Sequence, residues 1–104
     1  MKQLTHNLLK MNFSGIDLAD VKKIEFAFSQ KIGDAPLKTT EYPGSKAIHI
    51  ADNLIGVVWT PEETSLFEAG KPFYADTRIT LNDSKYQPET PILKLKMDPT
   101  LFEG

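Results

Sequence analysis

The sequence has 104 residues, of which 40% are hydrophobic and 25% charged, which fits one soluble globular domain and argues against a disordered chain. Twelve basic and 14 acidic residues leave a formal net charge of −2, and every basic residue except Arg78 is a lysine. With no basic stripe and one arginine fork, nucleic-acid binding is not expected; with no cysteine, disulfides, thiolate zinc sites and cysteine nucleophiles are excluded.

Met1 to His6 lacks the apolar run of a signal peptide. The longest apolar stretch, Leu54 to Trp59, is far too short to span a bilayer. The expectation is a single domain over 1–104, with its core at about 8–97 and a flexible tail at 98–104. It is expected to be cytoplasmic when synthesised, without a membrane partner.

Leu9, Met11 and Phe13 alternate with polar residues and predict a first strand, broken at Ser14-Gly15; Ile16 to Asp20 reads as a loop or short turn. Val21 to Gln30 is a second strand with Ile24, Phe26 and Phe28 on one face and Lys23, Glu25 and Ser29 on the other. A helix would scatter those three large apolar residues around its surface. Lys31 to Pro36 is a turn cluster, Leu37 to Tyr42 a short polar strand, Pro43-Gly44 a turn, and Lys46 to Ile50 another short strand before the Asp52-Asn53 turn. Leu54 to Trp59 is apolar on both faces, so it is either covered twice or presents one face to another element or chain.

At Thr60 the pattern changes. Thr60 suits an N-cap, Pro61 the first helical position and Glu63 the return bond of a capping box, with Leu66 and Phe67 expected to point inward and Gly70 and Pro72 ending the turn. Phe73 to Leu81 is the longest clean strand, with Phe73, Ala75, Thr77, Ile79 and Leu81 on one face. Asn82-Asp83-Ser84 predicts a hairpin to Lys85-Tyr86-Gln87, which Pro88 and Pro91 interrupt. Ile92 to Met97 closes the fold with Leu93, Leu95 and Met97 inward, and Leu101 and Phe102 remain available to dock. About seven short strands and one helical turn indicate an all-β sandwich or small barrel.

The chemical inventory is sparse. His6 and His49 are the only histidines, and His49, between Ile48 and Ile50, reads as solvent-facing. Glu62 and Glu63 suit a helix first turn, and Asp17 and Asp20 suit turn formation, so neither pair demands a catalytic role. No metal-ligand motif or glycine-rich phosphate loop is present, so no cofactor, metal or enzymatic activity is expected. Trp59, Tyr74 and Tyr86 could instead form an aromatic platform for a carbohydrate or other small ligand.

The segment Val58-Trp59-Thr60-Pro61-Glu62-Glu63-Thr64-Ser65-Leu66-Phe67 resembles small prophage-encoded proteins of Gram-positive bacteria, in which an apolar strand runs into a Glu-Glu-Thr turn and an apolar pair. The strand ending Phe28-Ser29-Gln30, the strand Phe73 to Leu81 and the final alternating strand extend the resemblance over roughly residues 20 to 97. Pro61 and Ala75-Asp76 depart from that pattern. Such proteins are similar in layout to the immunoglobulin-like N-terminal domain of phage baseplate upper proteins. The resemblance implies an immunoglobulin-like antiparallel β-sandwich that acts through protein–protein contacts in a tail or baseplate, and hence a virion location. The candidate interaction surface is Leu54, Val58, Trp59, Tyr74, Tyr86, Leu101 and Phe102. The alternative is a small carbohydrate- or ligand-binding β-sandwich module.

Overall fold

In a computed structural model that describes residues 1–87 and 92–101, the alternating stretches become antiparallel strands. These are β1 (Asn7–Asn12), β2 (Val21–Ser29), β3 (Lys38–Tyr42), β4 (Ala47–Ala51), β5 (Leu54–Trp59), β6 (Pro72–Leu81) and β7 (Leu93–Lys96). A 3-10 turn at Leu18–Asp20 precedes β2, and helix α1 (Pro61–Ser65) joins β5 to β6.

The strands form two sheets, a small one in the order β1-β5-β4 and a large one in the order β3-β2-β6-β7. The protein is therefore an all-β sandwich. An immunoglobulin constant domain has the same division of strands into layers of three and four, but there the second strand lies beside the first. Here β2 sits between β3 and β6 in the opposite layer.

The inward faces follow from the period-two pattern. Ile24, Phe26 and Phe28 from β2, Phe73, Ala75 and Ile79 from β6, and Ile55, Val57 and Trp59 from β5 are all buried. Trp59 lies at the centre, with Phe28 at 4.8 Å, Phe67 at 5.3 Å and Phe73 at 5.6 Å between ring centroids, each edge to face. Such pairs contribute about 0.5–1.5 kcal/mol each beyond area burial. Phe67 enters this cluster from the turn after α1, as its place in the sequence predicts. Leu66 does not: it is 56% exposed, because α1 ends at Ser65 and the next residue turns outward. Leu93 is also exposed rather than inward, while Leu95 is half-buried and Met97 fully buried.

α1 starts as its sequence dictates. The Thr60 side chain accepts from the Glu63 N–H at 3.3 Å, and Glu63 Oε1 accepts from the Thr60 N–H at 2.9 Å. The Gln30 amide grips the segment after the helix, donating to Glu68 O at 2.9 Å and accepting from Glu68 N–H at 2.6 Å.

The bonded body extends past 8–97 at both ends. Gln3 N–H donates to Asp98 O at 3.0 Å and Asp98 N–H to Met1 O at 2.6 Å, while Leu4 N–H donates to the buried Thr64 hydroxyl at 2.9 Å. The hairpin after β6 forms as its turn residues predict, with Leu81 N–H donating to Lys85 O at 2.8 Å and Gln87 N–H to Ile79 O at 2.9 Å. Pro88, Pro91 and Phe102 lie outside the described residues. Among the described residues no helix is long and apolar enough to cross a membrane.

Candidate functional site

The outer face of the large sheet carries a polar groove. Antiparallel register places Glu25 between Glu41 and Arg78, and Ala27 between Thr39 and Asp76. The small Ala27 side chain leaves a depression between its larger neighbours, and the turn Pro43–Lys46 forms a rim beside β3. The resulting open hollow is about 610 Å³. A smaller one of about 120 Å³ shares Ala27 and Asp76 and runs on past Ser29 and Tyr74 to the Lys31–Pro36 turn.

Charge in the groove is largely paired. Arg78 holds Glu25 in a two-point bond, Nε to Oε1 at 2.9 Å and Nη2 to Oε2 at 3.0 Å. Lys23 approaches the same carboxylate at 3.8 Å. The hydrogen bond from Arg78, with smaller help from the charges of Arg78 and Lys23, holds the Glu25 carboxyl below the ordinary range against the opposing effect of burial. A carboxylate shifted this way is poorly suited to general acid–base work at neutral pH. The Tyr86 ring lies 5.1 Å from the Arg78 guanidinium, a cation–π contact, and brings Tyr86 to the same side of the sheet as Tyr74.

Trp59 does not join the two tyrosines. It is fully buried on the inward face of β5, on the opposite layer, and Tyr86 bridges Thr80, six residues along β6 from Tyr74, so the three rings form no common platform. Its place on the candidate interaction surface is corrected for the same reason: in an odd–even strand it shares the face of Ile55 and Val57.

A second charged cluster joins α1 to the sheets. Lys38 is only 5% exposed; its ammonium bonds Glu63 Oε2 and lies 5.1 Å from the Trp59 ring centroid. Lys46 reaches the same oxygen at 3.1 Å. Burial alone would raise the Glu63 carboxyl, but the bonds from Lys38, the Thr60 N–H and Lys46 outweigh it and hold the group at about 2. Glu63 is thus the tie between helix and sandwich, while Glu62 beside it is exposed.

The outer face of the small sheet is apolar. β5 is central in that sheet, with Leu54 and Val58 half-buried on this side. Leu8 from β1 is 42% exposed, and Ile48 and Ile50 from β4 are 44% and 39% exposed. Gly56 lets these side chains converge: a Cβ there would sit 2.7 Å from Ile50 Cδ1 and 2.8 Å from Leu8 Cδ1. Ile48 and Ile50 escape a reading of the sequence because alternation around His49 suggests that the isoleucines face inward. Ala47 takes the inward position instead, and His49 is exposed at the sheet edge, its Nε2 at 2.7 Å from Asp52 O. The glycine inside an apolar strand was the available signal, since it often marks close approach of neighbours.

Of the other surface residues, Leu101 is fully exposed. Among the described residues no three His, Cys, Asp or Glu side chains gather as a metal-binding set. Compared with protein-family models, curated proteins and solved structures, the chain shows no match.

Proposed function

We propose that this protein is a non-catalytic structural or assembly module that acts through protein–protein contacts, with the outer face of the small sheet as its contact surface. The observation that supports this reading is the cluster of Leu8, Ile48 and Ile50 over Gly56, apolar side chains left open to solvent side by side. Contiguous exposed apolar patches mark interaction surfaces, whereas isolated ones need no explanation. The resemblance over residues 20 to 97 adds the setting, a phage tail or baseplate. Mass spectrometry of particles from an induced lysogen that encodes the chain tests this: the chain is expected in the particles, and a Leu8→Asp variant is expected to be depleted from them. Absence of the unaltered chain would overturn the tail or baseplate assignment.

A second reading is a carbohydrate- or ligand-binding module using the large-sheet groove. It is favoured by one observation, the pair of hollows that join at Ala27 and Asp76 and are lined by Glu25, Arg78 and Tyr74. A hollow of about 610 Å³ is within the roughly 300–1,000 Å³ of small-molecule sites. Calorimetric titration with a glycan panel is the suitable test, because the buried Trp59 gives fluorescence no direct view of the groove. Binding that is lost in Tyr74→Ala supports this reading; no heat from any glycan removes it.

A further inference from the structure

The two sheets present four edges, and they are not alike. β1 carries Lys10, β3 carries Lys38 and Glu41, and β7 carries Lys94 and Lys96. Charged side chains are a common guard against edge-to-edge pairing. β4 has none: its sequence is Ala47-Ile48-His49-Ile50-Ala51, without Lys, Arg, Asp, Glu or Pro. The order of these residues is also the same read in either direction. Two antiparallel copies centred on His49 would therefore place like against like, with Ile48 opposite Ile50.

The backbone of β4 is set for such pairing. Lys46 O accepts from Val58 N–H at 2.8 Å, and the register continues as Ala47 with Val57, Ile48 with Gly56 and His49 with Ile55. In an antiparallel ladder alternate residues bond the same neighbour. Ile48 therefore follows Lys46 in bonding β5, and His49 turns its N–H and C=O to the open edge. Gly44 already pairs with Ala47 at one end of the strand and a bulge lies between His49 and Ala51 at the other, so the open edge is confined to His49 and its immediate neighbours.

We propose that β4 is a self-pairing edge. A second copy of the chain docks antiparallel on it about a twofold axis at His49, joining the two small sheets into one. The two His49 residues exchange N–H···O=C bonds across the axis. Ile48 of each copy packs on Ile50 of the other, and the apolar patches around Gly56 become one continuous surface. This arrangement is isologous and closed, so it stops at the dimer. The inference rests on the assembly reading and names its first partner as the chain itself.

Sedimentation equilibrium from about 5 to about 500 μM, a span suited to a small interface, tests it. The unaltered chain is expected to pass from one to two chain masses across this span. His49→Pro removes the outward N–H while leaving the β5 ladder intact, a position where an edge strand tolerates proline. It is expected to weaken the dimer at least tenfold relative to His49→Ala, which keeps the N–H. Ile48→Lys is expected to weaken it at least tenfold as well, and it carries the test if circular dichroism shows that His49→Pro does not fold. A chain that stays monomeric to about 500 μM overturns the proposal, as do variants that dimerise as tightly as their controls. Recovery of a monomeric chain in particles would sink this inference alone; a dimer absent from particles would sink only the tail or baseplate setting.

Discussion

Replacing Glu63 with glutamine separates the charge at the helix junction from its shape. The glutamine side chain can still accept from the Thr60 N–H and complete the capping box, but it leaves Lys38 buried beside Trp59 with no carboxylate. In the folded protein Glu63 is held at about 2 against an ordinary 4.5, which by linkage corresponds to about 3 kcal/mol of stability at pH 7. Breaking a buried pair by removing one partner costs about 3–5 kcal/mol, so the two routes agree. The sign follows from a lowered folded value. The stabilisation is complete above the unfolded value of 4.5 and is lost as pH falls through about 2. Urea unfolding is therefore expected to show Glu63→Gln about 3 kcal/mol less stable at pH 7, with the gap closing by about 2 kcal/mol at pH 3. The double variant Lys38→Met with Glu63→Gln is expected to recover most of the loss, since no unpaired buried charge remains. A single-variant loss under about 1 kcal/mol, or a gap independent of pH, would refute this account.

Trp59→Ala is expected to cost about 3–5 kcal/mol in the same assay, because it empties the centre of the aromatic cluster. Trp59→Phe should cost clearly less, since it also removes a buried indole N–H that has no partner. Gly44→Ala should cost about 1–3 kcal/mol: its Cβ would lie 2.5 Å from the Glu41 carbonyl, a backbone atom that cannot swing aside. Gln30→Ala is expected to cost about 1 kcal/mol and to raise amide exchange at Glu68, whose N–H it caps; unchanged exchange would show that the clamp does not form in solution.

Much of the fold is legible in the sequence because a strand buried on one side must repeat every second residue. Ile24-Phe26-Phe28 and Phe73 to Ile79 declare their inward faces this way, and Thr60-Pro61-Glu63 declares the start of α1 through capping bonds that are local. Which strands pair is not local. Nothing near β2 in sequence says that it lies between β3 and β6, and only that pairing brings Glu25, Arg78, Ala27 and Asp76 into one groove. The short strands misled for a related reason. In β4 the alternation has two possible phases, and pairing with β5, which sets Ala47 beside the buried Val57, selects the one that buries Ala47. That choice puts Ile48 and Ile50 outside, where the sequence suggested a core. So the sequence by itself determined the class of fold, the capped turn and the sparse chemical inventory, through periodicity and residue type. The tertiary structure decided which faces meet solvent, because burial is settled by the opposite sheet and not by the strand itself.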